Sequence, residues 1–209
     1  MMLGARTAAW SGKDLPYDAE VEWLESNGAQ YVNTNYIPRS IDRIIAKYVI
    51  YQENTALNNV FRSVQGNWNA HPNYWLFLKA QFSGYQIWAF SSFQDINVPV
   101  VYGRVFECDL DMLNKRIAVY KEGDAHEYIE INVGVESKNQ PPIFLFPKEQ
   151  ENLARTRIMK FEAIRNGEKV ANIIAVRKDG VGYMYDRVSG QLFGNAGTGE
   201  FIIGPDKTT

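Results

Sequence analysis

Residues 160–176 place the tightest constraint on the fold. Asn166-Gly167 stands between Lys160-Phe161-Glu162-Ala163-Ile164-Arg165 and the run from Val170 to Val176. Asn-Gly accepts positive φ at both central positions of a two-residue turn, so this spacing predicts a β-hairpin. The same alternation of short apolar runs and turn residues recurs along the chain. Ile44–Tyr51 is a strand candidate, and Tyr74–Leu78 and Tyr85–Phe90 flank a reversal at Ser83-Gly84. Arg104–Leu110 and Arg116–Tyr120 are parted by a turn over 111–115, and Ile143–Phe146, after Pro141-Pro142, reads as a central strand. Sustained helical periodicity is missing; only residues 148–155 suggest a helical turn. Many short strands with regular turns predict an all-β fold, a two-sheet antiparallel jelly-roll sandwich.

Composition agrees. Aromatics make up 13% of the chain, with 12 Tyr, 11 Phe and 5 Trp, and such residues suit pleated, half-buried surfaces. A length of 209 residues fits one sandwich. The expected organisation is an N-terminal arm over 1–20 and a single jelly-roll domain over 21–209. The arm is either a loose leader or an attachment peptide that docks through Trp10. A net charge of -2 supplies no broad positive field, which argues against nucleic acid as a partner. The single cysteine, Cys108, excludes an intramolecular disulfide and a Cys-cluster zinc site. His71 and His126 lack the partner spacing of zinc ligands. No run approaches the roughly 18 apolar residues of a membrane span, and no conventional secretory signal is visible. The expected location is an extracellular surface or a virion. No cofactor is called for, and calcium is compatible with the sequence without being indicated by it.

Two groupings could carry chemistry. Glu107, Asp109 and Asp111 alternate along one expected strand, so all three share a face. Their spacing is similar to the carboxylates of jelly-roll glycoside hydrolases, where a retaining pair needs carboxyls about 5–5.5 Å apart. Positions four apart on a strand lie about 13 Å from each other, so the expectation is a solvated strand face rather than a catalytic pair. The stretch Gln65–Tyr74 is the better ligand candidate. Trp68, Asn69, His71 and Tyr74 offer flat rings and hydrogen-bonding groups in one inter-strand loop, a combination that suits sugars. Trp75, Phe77 and Trp88 read as core or sheet-face residues. Gly194–Gly199 is no phosphate loop, because no Gly-Lys-Ser/Thr follows it.

Two further patterns bracket the chain. Near the start stands Trp23-Leu24-Glu25-Ser26-Asn27-Gly28-Ala29-Gln30-Tyr31-Val32-Asn33-Thr34; near the end, Tyr185-Asp186 precedes Gly190, Phe193, Asn195, Gly197-Thr198-Gly199 and Phe201. Together they resemble a LamG-like, concanavalin A-like jelly-roll family of gut bacteria and their phages. The match lies at Leu24, Ser26, Gly28, Gln30, Tyr31 and Thr34 and at those closing residues, and covers about residues 21–204. Asn35 stands for the family's usual Gly, and Met184 for its usual Leu. The resemblance implies carbohydrate recognition, adhesion at a cell or particle surface, or a structural role in a virion as a fibre or decoration subunit. It transfers no catalytic residue. The expected partners are a glycan or surface polysaccharide, and further copies of the chain or a virion or surface assembly. The glycosidase alternative would use Glu107 with Asp109 or Asp111. Tyr185, Phe193 and Phe201 are expected to bury their rings against the opening strand around Tyr31.

Overall fold

The computed structural model describes residues 15–51, 58–63, 76–81, 84–90, 92–136, 138, 140–146 and 155–208. The first fourteen residues with Trp10, the expected loop over Gln65–Tyr74 and all but the last residue of the helical turn expected over 148–155 lie outside them. In chain order the strands are β1 (Ala19–Glu20), β2 (Leu24–Ser26), β3 (Val32–Asn33), β4 (Asp42–Ile50), β5 (Asn58–Ser63) and β6 (Leu76–Gln81). Next come β7 (Gly84–Ala89), β8 (Ser92–Ile96), β9 (Val105–Asp111), β10 (Arg116–Lys121), β11 (Ile129–Glu130) and β12 (Phe144–Leu145). The last are β13 (Thr156–Arg165), β14 (Glu168–Lys178), β15 (Val181–Asp186), β16 (Gln191–Phe193) and β17 (Ile202–Ile203). No helix occurs among the described residues.

The strands form an antiparallel jelly-roll sandwich. The larger sheet runs β11-β10-β9-β4-β13-β14-β15-β16, and the smaller runs β3-β12-β5-β6-β7-β8. Asn166 and Gly167 have φ of 52° and 82°, the left-handed pair that the β13–β14 hairpin requires. Strand β4 alternates as its pattern predicts, with Ile44, Ala46, Tyr48 and Ile50 turned inward. Facing them across the sandwich are Leu76, Leu78, Tyr85, Ile87 and Leu145 of the smaller sheet, in one continuous core. Each leucine or isoleucine among them, fully buried, contributes roughly 1.5–3 kcal/mol. Trp88, half-buried on the sheet face, packs edge-on against exposed Phe93.

The bracketing patterns meet where β13 and β14 part. β13 pairs with β14 from Lys160 to Arg165, but over Thr156–Ile158 its neighbour is β2. β14 in turn takes β1 at Val176 and Arg177, and β17 lies on β2. Residues 15–20, grouped with the arm on sequence grounds, thus join the sandwich, and Tyr17 packs on Tyr185 with ring centres 5.0 Å apart. The opening and closing loops are clasped through amides. Tyr31 N–H donates to Asn195 Oδ1 at 3.2 Å, Ala196 N–H to Tyr31 O at 2.8 Å, and Gln30 Nε2 to Thr198 O at 3.0 Å. A Cβ at Gly197 would stand 2.0 Å from Ala29 O, which leaves room there for glycine alone. Tyr185, Phe193 and Phe201 are all buried. Their ring partners are not Tyr31, however. Phe201 packs on Phe146, Tyr185 belongs to a separate cluster with Tyr17, and Tyr31 lies against Phe144.

Candidate functional site

The carboxylate row is real but is not a solvated face. Phe106, Cys108 and Leu110 fill the core, which turns Glu107, Asp109 and Asp111 outward. The register sets Arg43, Ile45 and Lys47 of β4 beside them on one side and Arg116, Ala118 and Tyr120 of β10 on the other. Asp109 is only 3% exposed and Asp111 only 5%. Arg43 grips Asp109 with two parallel bonds, Nε–Oδ1 at 2.8 Å and Nη2–Oδ2 at 2.5 Å, and the Tyr128 hydroxyl donates to the same carboxylate. Asp111 accepts from Asn114 Nδ2 at 2.7 Å and from Arg116 Nε at 3.1 Å. Glu107 accepts from the Tyr120 hydroxyl, and His126 stacks on the Tyr120 ring at 3.8 Å. The expectation of a solvated row fails because arginine and tyrosine from adjoining elements lie over the carboxylates, Arg43 from 66 residues before Asp109 and Arg116 from just across the β9–β10 turn.

The electrostatics run against acid–base work. Burial pushes the Asp111 carboxyl up, but the Asn114 amide and backbone N–H and the Arg116 guanidinium outweigh it and hold the group below its ordinary value. A glycosidase general acid needs the opposite shift. Hydrogen bonding to Asp109 raises Arg43 further, and burial followed by the bond to Glu107 raises Tyr120. Among the described residues, no group of three His, Cys, Asp or Glu side chains is arranged to hold a metal ion.

A second constellation lies at one rim. A pocket of about 360 Å³ opens between the 34–39 segment and the ends of the larger sheet, lined by Thr34, Asn35, Tyr36, Arg165, Asp186 and Ser189 among others. Its shape starts at Asn35, whose φ of 56° is left-handed, the conformation that Gly or Asn tolerates. This accounts for Asn35 where the resembled family has Gly. The turn is held by Asn33 Oδ1 and Thr34 Oγ1, which accept from the N–H groups of Asn35 and Tyr36. Fully buried Asp42 anchors its floor: Arg165 donates from Nε and Nη2 at 2.7 and 2.9 Å, and the Tyr36 hydroxyl also donates. Burial and then the Asp42 charge push the Tyr36 hydroxyl far up, so it remains a donor.

Trp68, Asn69, His71 and Tyr74, in the loop expected from the sequence, lie outside the described residues. The strands that carry that loop do fix its two ends. Asn33 pairs with Phe144, Phe144 with Arg62, and Ser63 with Leu76. Residue 34, residue 143 and the loop ends at 63 and 76 therefore share the rim on which the pocket opens. The arginines and tyrosines over the carboxylates escape sequence reasoning, since Arg43, Arg116 and Tyr128 have no motif of their own. For Arg43 and Arg116, only their place beside inward Ile44 and Ile117 marks their face, and Tyr128, between exposed Glu127 and Ile129, carries not even that signal.

No family model matches the chain, and no curated protein matches it. Among solved structures it is similar to the native heptameric SAP-like pentraxin of Limulus polyphemus, with a TM-score of 0.52 at 10% identity over 88% of this chain and 95% of that one. The SPRY domain of human HERC1 gives a TM-score of 0.36 at 13% identity over 68% of this chain and 91% of that one, too low to argue from. The fold and the pentraxin likeness together define a jelly-roll sandwich. At 10% identity that likeness reaches the fold and no further.

Proposed function

We propose that the chain is a non-catalytic, LamG-like module, a single domain that takes in residues 15–20 together with the expected 21–209, and that it recognises saccharides at a cell or particle surface. The observation that carries the non-catalytic reading is the state of the β9 carboxylates. The one row with a hydrolase-like spacing is engaged by Arg43, Arg116, Tyr120 and Tyr128, and Asp111 is shifted the wrong way for a general acid. The saccharide reading is supported by the loop with Trp68, Asn69, His71 and Tyr74, which leaves and re-enters the sheet at a rim already hollowed by a polar pocket. One exposed ring stack gives only millimolar affinity, about −4 kcal/mol, so adhesion requires several copies acting together. The heptameric state named for the similar pentraxin is in keeping with display in an oligomer.

The test is an NMR titration of a glycan panel against wild type and Trp68→Ala. Weak saturable binding that the substitution abolishes is the expected result. Binding unchanged in the variant places the site elsewhere. No binding to any glycan turns the reading toward a structural part of an assembly, and hydrolysis abolished by Glu107→Gln overturns the non-catalytic assignment.

A further inference from the structure

On the outer face at the start of β13, two arginines share one carboxylate. Glu25 of β2 is fully buried and stands directly across from Arg157, while Arg155, two residues earlier, faces the same way. Each arginine engages Glu25 through Nε alone, Arg157 at 2.5 Å from Oε2 and Arg155 at Oε1. The guanidiniums are also stacked. Arg157 Cζ lies 3.6 Å from the centre of the Trp23 ring and 4.5 Å from that of Tyr51, and Arg155 Cζ lies 5.1 Å from Tyr51. Trp23 is itself fixed, because its ring rests on Gly204, where a Cβ would stand 2.8 Å from two ring carbons, and Gly204 N–H donates to Trp23 O at 2.9 Å.

Neutralising Glu25 requires one arginine, and two are present. The cluster therefore keeps one net positive charge within a chain whose overall charge is -2. Among the described residues, no acceptor engages the terminal nitrogens of either guanidinium. The Arg155 side chain is 49% exposed. Guanidinium forks take oxyanions with two parallel N–H···O bonds, and a fork already held by a carboxylate and an aromatic face loses little freedom on doing so. A lysine pair could present the same charge without that planar geometry.

We propose that Arg155 and Arg157, oriented by Glu25, Trp23 and Tyr51, bind an oxyanion substituent, sulfate or carboxylate, of an acidic saccharide. The proposal rests on the saccharide reading above and selects acidic over neutral glycans. The experiment titrates the full chain with dextran sulfate, polygalacturonate, neutral dextran and inorganic sulfate by calorimetry, with Arg–Nε and Trp23 indole NMR signals followed in parallel. Arg155→Gln is the informative variant, because Arg157 still holds Glu25; a cooperative melt close to wild type confirms its fold. Lys121→Gln, on the exposed Lys121–Asp124 pair, is the charge control.

Expected are binding of one or both polyanions, no binding of neutral dextran, and shifts of the two arginine Nε signals. Arg155→Gln should weaken binding about tenfold or more, as loss of a charge-assisted bond implies, with Lys121→Gln unchanged. Dextran sulfate and polygalacturonate separate the sulfate source from the carboxylate source. Equal weakening by both variants overturns the site in favour of diffuse charge attraction. Neutral glycans that bind while both polyanions fail overturn it and leave the saccharide reading standing. Inorganic sulfate that shifts the arginine signals while every saccharide fails overturns both.

Discussion

Replacing Gly197 by alanine tests the clasp between the opening and closing loops. The new Cβ would stand 2.0 Å from Ala29 O and 3.1 Å from Tyr31 Cδ1. Close-packed backbone does not yield locally, so the closing loop has to withdraw by about 1 Å. That movement breaks Ala196 N–H to Tyr31 O, Thr198 N–H to Ala29 O and Gln30 Nε2 to Thr198 O, now at 2.8, 3.1 and 3.0 Å. At about 1 kcal/mol each, the cost is about 3 kcal/mol. For a chain of this size the melting temperature should fall by roughly 6–12 °C. Gly103→Ala is the matched control. Gly103 has φ of 73° with nothing near its absent Cβ, so alanine there carries only the left-handed penalty of about 1 kcal/mol. Urea unfolding of both variants separates steric closure from backbone preference. A Gly197→Ala cost no greater than that of Gly103→Ala would refute the clasp.

Asp109→Asn should destabilise the fold by about 2 kcal/mol in urea, because Arg43 and Tyr128 lose their shared anion at a nearly buried position. An unchanged midpoint would mean that the row is solvated after all. The Asp111 carboxyl titrates below its ordinary value in the fold, so on acidification the unfolded chain takes up the proton first. Its stabilisation is present above about pH 4 and is lost as pH falls further, so Asp111→Asn should flatten the acid limb of a stability–pH curve. A limb as steep in the variant as in wild type would assign acid unfolding to other carboxylates.

The β13–β14 hairpin, the β6–β7 reversal and the β9–β10 pair are all legible in the sequence, because turn residues and period-two alternation are local signals. Length was less legible. The run Ile143–Phe146 reads as a strand, yet only Phe144–Leu145 pairs, between β3 and β5. The parting of β13 from β14 could not be read, since Thr156–Ile158 looks like a simple continuation of its strand and its new neighbour is more than a hundred residues away. The same distance hides the candidate sites. Glu25 meets Arg155 across 130 residues, and Asp109 meets Arg43 across 66. The spacing of Glu107, Asp109 and Asp111 gives their shared face correctly and their environment wrongly.

The wedge between β13 and β14 also governs when the sandwich can close. β2 is sealed by β17, and Gln30 reaches Thr198 across 168 residues. Closing so long a loop comes late, after local hairpins have formed, because its entropy is recovered only by the contacts at its end. A growing chain that stops short of residue 198 therefore holds Leu24 and Val21 without their covering strand, with apolar surface and unpaired strand edges open to other chains. Refolding should accordingly be slow and concentration-sensitive, and the closing segment around Thr198 and β17 becomes the latch that decides whether the product is a sandwich or an aggregate.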